Sequence, residues 1–399
     1  MPSAAVALAK SARVGVLGAG AMGTGIAQVA AAAGHSVVVA DAHPSAIDKA
    51  SQAMRQSLAR EVEKQRRTAA EAKAIESRVQ FVAGAGDDAS AFRGCALVIE
   101  AIVEDIGVKR RAFAAMENSV DATCVLASNT SSLSIAAIAS GRTHPGRIIG
   151  LHFFNPATIL PLVEVIAART SDVDIVAGAR ALVDSWGKTT VLAADTPGFI
   201  VNRVARPFYG ESLRLLEEGV ADVATIDWAM KEMGGFRMGP FELMDLIGND
   251  VNYSVTTSVF GALNNDPRYA PSDIQRRMVE AGQLGKKSGV GYYDYRNGSK
   301  PPAPKADRAL GARIVDRVLA MLINEAADAV HNRIATRDDV DVAMTKGVNY
   351  PKGLLAWADE IGPGVVADRI AALRKEYGGE RYRPSPLLTR MAREAARFF

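Results

Sequence analysis

Val14-Gly15-Val16-Leu17-Gly18-Ala19-Gly20-Ala21-Met22-Gly23 decides the fold at the amino end of this chain. A short β-branched run passes directly into a Gly-x-Gly-x-x-Gly turn, and an apolar stretch at helical spacing, Ile26 to Ala33, follows. In that setting Gly18 permits a tight turn, Gly20 lets the backbone approach a pyrophosphate, and Gly23 lets the helix pack closely. The helix N-terminus presents free N–H groups and a partial positive charge to the phosphates. A bare glycine pattern is weak evidence, but a second strand, Val37 to Ala40, ends at Asp41, near the ~20 residues expected for the acid that meets the adenine ribose. Asp41 would accept hydrogen bonds from both ribose hydroxyls and repel a 2′-phosphate. Ala42 and His43 offer no permanent cation, so NAD is expected rather than NADP. The competing reading makes Asp41 a surface turn residue and the glycines turn punctuation.

Working outward, β-branched runs alternate with longer amphipathic stretches from Arg13 to about Ala194, the pattern of a largely parallel sheet with helices on its faces. The expected strands are Val14 to Leu17, Val37 to Ala40, Val79 to Val82, Leu97 to Ile99, Cys124 to Ala127, Ile148 to Leu151, Leu162 to Ile166 and Thr190 to Leu192. After Thr196-Pro197-Gly198 only helical spacing remains. The expected fold is an α/β Rossmann-type NAD-binding domain over residues 1–195, followed by an all-α C-terminal region. That region reads as two repeated helical units, 196–296 and 308–399, joined by a Pro- and Gly-rich linker over 297–307. The repeat needs no gap. A constant offset of 114 positions superposes Arg203 on Arg317, Glu211 on Glu325, Asp227 on Asp341, Gly239 on Gly353 and Asp245 on Asp359. Two such copies can pack isologously, so the chain is expected to be a monomer with an internal pseudo-dimer, or a homodimer.

Composition narrows the classes. The chain has 399 residues, 47 Lys plus Arg against 44 Asp plus Glu, and a formal charge of +3 with both signs interspersed, so neither a nucleic-acid surface nor an acidic tail is expected. Cys95 and Cys124 are the only cysteines, too few for a disulfide framework or a metal cluster, which favours a reducing, cytoplasmic setting and no metal. No apolar run approaches the roughly 18 residues of a membrane span. Met1 to Arg13 reads as a frayed leader rather than a targeting segment.

Removing the proton of an alcohol calls for a base, and His is the usual choice because it titrates near neutrality. His35 lies in the turn before the second strand, His43 precedes Pro44, His144 precedes Pro145, and His331 lies in the distal repeat. His152 stands at the end of a strand and just before Phe153-Phe154-Asn155-Pro156, and chemistry in open parallel sheets gathers at the carboxyl ends of strands. A His beside two Phe is also an ordinary core residue. Glu164, in Leu162-Val163-Glu164-Val165-Ile166, adds weight, since a carboxylate in an apolar strand is costly to bury unpaired. His152 is its natural partner; an Arg is the rival.

These residues resemble the L-3-hydroxyacyl-CoA dehydrogenases over nearly the whole chain. The resemblance rests on the glycine loop, Glu100-Ala-Ile-Val-Glu104, Ser128-Asn-Thr-Ser-Ser132, His152-Phe-Phe-Asn-Pro156, Asp195-Thr-Pro-Gly-Phe-Ile-Val-Asn202, Gly239-Pro-Phe-Glu-Leu-Met-Asp245 and Gly285-Lys-Lys-Ser-Gly-Val-Gly-Tyr-Tyr293. It implies that His152 is the acid/base, Glu164 its orienting partner, and Ser131 and Asn202 the groups that position substrate oxygen and thioester. It implies that Glu104, Lys109, Ser131, Asn155 and Lys287 line the NAD site with Gly18, Ala19, Gly20, Ala21, Met22, Gly23 and Asp41. Ser57 and Lys64 match positions that touch coenzyme A, though a solvated helix face explains them equally. Ser131 or Ser132 could also cap the helix that begins near Ile135. Asn202 aligns with Asp316 in the second copy, which reads as structural.

One departure is Ala167-Ala168-Arg169 after Glu164-Val165-Ile166, where relatives often carry a Lys. It bears on substrate detail. The implied reaction is NAD-dependent oxidation of a (3S)-3-hydroxyacyl-CoA, short-chain such as 3-hydroxybutyryl-CoA or dicarboxylic such as 3-hydroxyadipyl-CoA, bound in the cleft against the helical domain. The rivals are a hydroxyacid or sugar-acid dehydrogenase on the same scaffold, and a non-catalytic dinucleotide-binding protein.

Overall fold

The computed structural model describes residues 11–84, 88–296 and 298–399. Most of the expected leader (1–10) and the first residue of the expected linker (297) lie outside the described residues. The chain divides into two compact units, Met1–Thr196 and Pro197–Phe399.

In the first unit, eight strands form one sheet: β1 (Val14–Leu17), β2 (Val37–Asp41), β3 (Val79–Ala83), β4 (Leu97–Glu100), β5 (Val125–Ser128), β6 (Ile148–Phe153), β7 (Leu162–Ala167) and β8 (Thr189–Ala194), in the order β3-β2-β1-β4-β5-β6-β7-β8. Every neighbouring pair is parallel except β6–β7. The segment 154–161 is too short for the helical crossover a parallel return requires, so β7 reverses direction. The inner strands β1, β4, β5 and β6 are buried along their whole length and are accordingly rich in Val, Ile and Leu. Val16, Val39 and Ile99 of the sheet form the core with Ile26 and Met54 of the helices Ala21–Ala32 and Pro44–Glu63.

Register sets the site. Leu17 pairs with Glu100, Glu100 with Ser128, and Ser128 with Gly150. The carboxyl ends of β1, β4, β5 and β6 therefore lie side by side, with the glycine loop, Glu100, Ser128 and His152 along one edge.

The second unit is helical; among its described residues only isolated bridges at Gly285, Val290 and Asp294 carry β pairing. Its long helix Arg308–His331 packs on Arg206–Glu217. Residues 298–307 are exposed and form no helix or strand. No helix among the described residues is long and apolar enough to cross a membrane.

The expectation that Ser131 or Ser132 caps the next helix is corrected. The helix is Ile135–Ala139 and its cap is Ser134, whose hydroxyl accepts from the Ala137 N–H at 3.2 Å. Asp195 completes that terminus, accepting from Ser134 Oγ, Ile135 N and Ala136 N at 2.8, 2.9 and 2.7 Å. Ser131 and Ser132 are bound to Glu104 instead.

Candidate active site

The three glycines of the first turn meet three different surroundings. Gly18 has φ +107°, and a Cβ there would lie 2.5 Å from the Ala101 carbonyl oxygen. A Cβ on Gly23 would lie 1.9 Å from the Gly18 carbonyl oxygen, so the helix can pack against its own loop only without a side chain. A Cβ on Gly20 would meet nothing within 4 Å. That open space is where a pyrophosphate can approach the backbone. Gly20 caps the helix Ala21–Ala32 without a side-chain hydrogen bond, and no acid sits in the first turn, so its leading N–H groups stay available to an anion. Ala19 is buried, Ala21 exposed and Met22 half-buried. Asp41, ending β2, accepts from Ala19 N at 2.8 Å and from His43 N at 2.9 Å. Each carboxylate oxygen has a second lone pair left for a ribose hydroxyl. The residues present fit a dinucleotide.

His152 and Glu164 are direct cross-strand neighbours in the antiparallel β6–β7 pair. Facing side chains at such positions lie within contact distance, and His152 Nδ1 sits 2.6 Å from Glu164 Oε2. Glu164 is fully buried and His152 is 6% exposed. The Phe154 ring lies 4.4 Å from the imidazole, tilted by 50°. A carboxylate at Nδ1 fixes the proton there and leaves Nε2 to exchange a proton. The β6–β7 register thus places His152 opposite Glu164. His35 is committed elsewhere: its Nδ1 lies 2.8 Å from the Ala12 carbonyl and its Nε2 accepts from Trp186 Nε1 at 2.8 Å. His43, His144 and His331 are exposed.

Glu104 organises the loop between β5 and the His152 strand. One of its oxygens accepts from Thr130 Oγ1 at 2.6 Å, Ser131 N at 3.0 Å, Ser132 N at 3.2 Å and Ser132 Oγ at 3.0 Å. Burial would raise the Glu104 carboxyl, but the Lys109 ammonium and these donors outweigh it and hold it below the ordinary carboxylate range. Lys109 is 1% exposed, between Glu100 at 2.5 Å and Glu104 at 3.3 Å. It supports this loop from beneath rather than presenting its ammonium at the surface. Glu100 also accepts from Ser128 Oγ at 2.6 Å and Ile102 N at 2.7 Å. Asn129, to which the sequence reading gave no role, accepts from Phe153 N at 2.8 Å and so ties the serine loop to the residue after His152. The signal for it was an amide inside a run of hydroxyl residues directly after a strand.

Asn155 is exposed. Ser57 lies half-buried on the helix Pro44–Glu63, and Lys64, exposed, is its C-cap. Seven residues apart, they share one helix face, and among the described residues no hydrogen bond or ion pair holds either side chain. In the second unit, Asn202 lies in the turn Val201–Val204. Lys287 sits on the short turn Lys286–Ser288, its ammonium 2.7 Å from Asp250 Oδ2. Gly285 sets that turn at φ +92°, where a Cβ would strike the Asp245 carbonyl oxygen at 2.3 Å.

Residues 13–196 match the model of the family described as 3-hydroxyacyl-CoA dehydrogenase, NAD binding domain, and residues 198–295 and 314–397 match that of its C-terminal domain. The chain belongs to the 3-hydroxyacyl-CoA dehydrogenase family. It is accordingly an NAD-dependent oxidoreductase of 3-hydroxyacyl-CoA thioesters. The 3-hydroxyadipyl-CoA dehydrogenase of Escherichia coli K12 is 36% identical, covering 95% of this chain and 97% of that protein. The human mitochondrial hydroxyacyl-coenzyme A dehydrogenase is 38% identical over 71% of this chain and 91% of its own. Among solved structures, the 3-hydroxybutyryl-CoA dehydrogenase of Escherichia coli K12 superposes with a TM-score of 0.91 at 35% identity, covering 96% of this chain and 99% of that one. The family's NAD domain thus coincides with the unit whose first turn is open at Gly20.

Proposed function

We propose that this 3-hydroxyacyl-CoA dehydrogenase oxidises the hydroxyl of a short-chain or dicarboxylic (3S)-3-hydroxyacyl-CoA to the 3-oxoacyl-CoA, reversibly, with His152 as the acid/base. The observation that carries the reading is the 2.6 Å contact of His152 Nδ1 with the buried Glu164 carboxylate, on the same sheet edge as the open glycine loop. NAD, when bound, supplies the acceptor for the hydride that leaves the hydroxyl carbon. His152 Nε2 takes the hydroxyl proton, and Glu164 stabilises the imidazolium so formed. In reduction the same Nε2–H returns the proton to the carbonyl oxygen. Ser131 and Asn202 position the substrate oxygen and thioester, Asp41, Glu104, Asn155 and Lys287 serve the nucleotide, and Ser57 and Lys64 meet coenzyme A. Lys109 acts through Glu104.

The helical unit is read as two copies of one fold, the second structural, making the chain a monomer with an internal pseudo-dimer or a homodimer. Two buried free cysteines suit a cytoplasmic setting. The test is NADH formation with 3-hydroxybutyryl-CoA, 3-hydroxyadipyl-CoA and a free 3-hydroxy acid, each run with NAD and NADP. Turnover of thioesters with NAD alone is expected; turnover of the free acid alone would move the reading to a hydroxyacid dehydrogenase.

A further inference from the structure

Arg206 is 7% exposed and, among the described residues, faces no carboxylate partner. Its Nε donates to the Asn202 carbonyl at 2.8 Å, its Nη1 donates to Thr256 Oγ1 at 3.1 Å, and its guanidinium stacks 4.9 Å from the centre of the Tyr209 ring. Nη2 makes no hydrogen bond. A buried cation without a counter-ion is costly, and proteins ordinarily remove that cost with a carboxylate. The other buried arginines nearby follow the rule: Arg214 pairs with Glu211 at 2.6 Å and Arg268 with Asp266 and Glu325 at 3.0 and 2.9 Å.

Arg206 lines a cavity of about 60 Å³ together with Tyr209, Thr256, Gln275 and Arg381. Among the described residues Arg381 also has no hydrogen-bond or ion-pair partner. Glu217, the one acid on the cavity wall, already accepts from Ser272 Oγ at 2.6 Å. Two guanidiniums without a carboxylate partner among the described residues therefore face a space with no spare negative charge. The site is not a general feature of the helical fold either, since the position 114 residues after Arg206 is Ala320, buried in the helix Arg308–His331.

We propose that Arg206, assisted by Arg381, binds the terminal carboxylate of a dicarboxylic acyl chain and makes the enzyme selective for such substrates. This rests on the reading that Asn202 holds the acyl group. Arg206 follows Asn202 by four residues, where the turn Val201–Val204 meets the helix Arg206–Glu217, and its Nε bonds to the Asn202 carbonyl. A short dicarboxylic chain carries its far carboxylate only a few bonds beyond its thioester, and so near the residue that holds the acyl group. A planar guanidinium with both Nη2 N–H groups still to be bonded is suited to a carboxylate.

The test compares kcat/KM for 3-hydroxyadipyl-CoA with that for 3-hydroxyhexanoyl-CoA, which replaces the carboxylate by a methyl on a chain of equal length. Wild type is expected to favour the diacid at least tenfold. Arg206→Met should bring that ratio close to one while still turning over the hexanoyl thioester, and Arg206→Lys should keep part of the preference. A wild-type ratio near one, or a ratio unchanged in Arg206→Met, overturns the proposal. Should Arg206→Met not fold, Arg381→Gln carries the test, with a smaller fall in the ratio expected and an unchanged ratio counting against it. Failure to oxidise either thioester would instead strike the dehydrogenase reading beneath it.

Discussion

The Arg317 guanidinium reaches the Glu211 carboxylate at 2.9 Å, and both side chains are buried. Their counterparts at the 114-residue offset make the reciprocal pair: Arg203 lies 3.8 Å from Glu325. Each glutamate also accepts from a tyrosine, Glu211 from Tyr382 at 3.0 Å and Glu325 from Tyr269. Residue i meeting j′ while j meets i′ is the pattern that an isologous contact would give. Other details repeat. Asp227 accepts from Phe241 N and Glu242 N, and Asp341 from Leu355 N and Ala356 N. A Cβ on Gly239 or Gly353 would strike the respective aspartate at 2.2 or 2.3 Å. Asp245 accepts from Tyr292 N and Tyr293 N, whereas Asp359 accepts from Phe398 N and Phe399 N.

Arg317→Met is expected to destabilise the protein by about 3 kcal/mol, because it leaves a buried Glu211 with less compensation. Urea unfolding checks this. Residual kcat in folded Arg317→Met should match wild type, since no reacting group is touched; a large loss of kcat at full folding would mean that the pair serves the site.

His152→Ala should lower kcat by about 10²- to 10⁴-fold, the range for removal of a positioned general base. Glu164→Gln should lower kcat by less, because an amide can still accept from Nδ1–H but cannot stabilise an imidazolium. NAD affinity, read by quenching of tryptophan fluorescence, should be unchanged in both. Unaltered turnover in His152→Ala would sink the acid/base assignment.

Gly20 and Gly23 separate binding from folding. Gly20→Val projects into the space kept for the pyrophosphate and should weaken NAD binding about tenfold, near 1.4 kcal/mol, while the melting temperature stays close to wild type. Gly23→Ala drives a methyl onto the Gly18 carbonyl and should cost about 1–3 kcal/mol of stability or more. Calorimetric unfolding and NAD titration of the two variants give opposite rankings if the turn is read correctly.

Much of this was legible in the sequence for a physical reason. Strands buried on both faces favour apolar, β-branched runs, so the inner strands stood out, whereas β3, at the sheet edge and only partly buried, was named from the short run Val79 to Val82. Glu164 stood out because a carboxylate in an apolar strand needs a partner. The reversal of β7 went unstated, although the short 154–161 segment contained it. Asn129 and Asp195 were missed as positioning residues because side-chain to backbone bonds leave no periodic trace. Ser134 displaced Ser131 as the cap because Glu104, distant in sequence, claims the earlier serines. Arg206 was hidden for a different reason: a helix pattern records that a position is buried, not whether a counter-ion arrives.

Glu104 gives the pH dependence its sign. Its carboxyl lies below the ordinary range in the folded protein, with Lys109 and the loop donors outweighing burial. A depressed carboxyl binds fewer protons folded than unfolded, so its contribution to stability is present above the unfolded value of about 4.3 and is lost as pH falls through the folded value. The stability difference between wild type and Glu104→Gln should therefore be constant from about pH 5.5 upward and shrink below about pH 4.3. Unfolding by urea at a series of pH values measures it. The variant should also lose kcat/KM for NAD several-fold at neutral pH, since the amide cannot accept all the donors of Thr130, Ser131 and Ser132. A difference that instead grew on acidification would mean that Glu104 is not the anion that holds the serine loop.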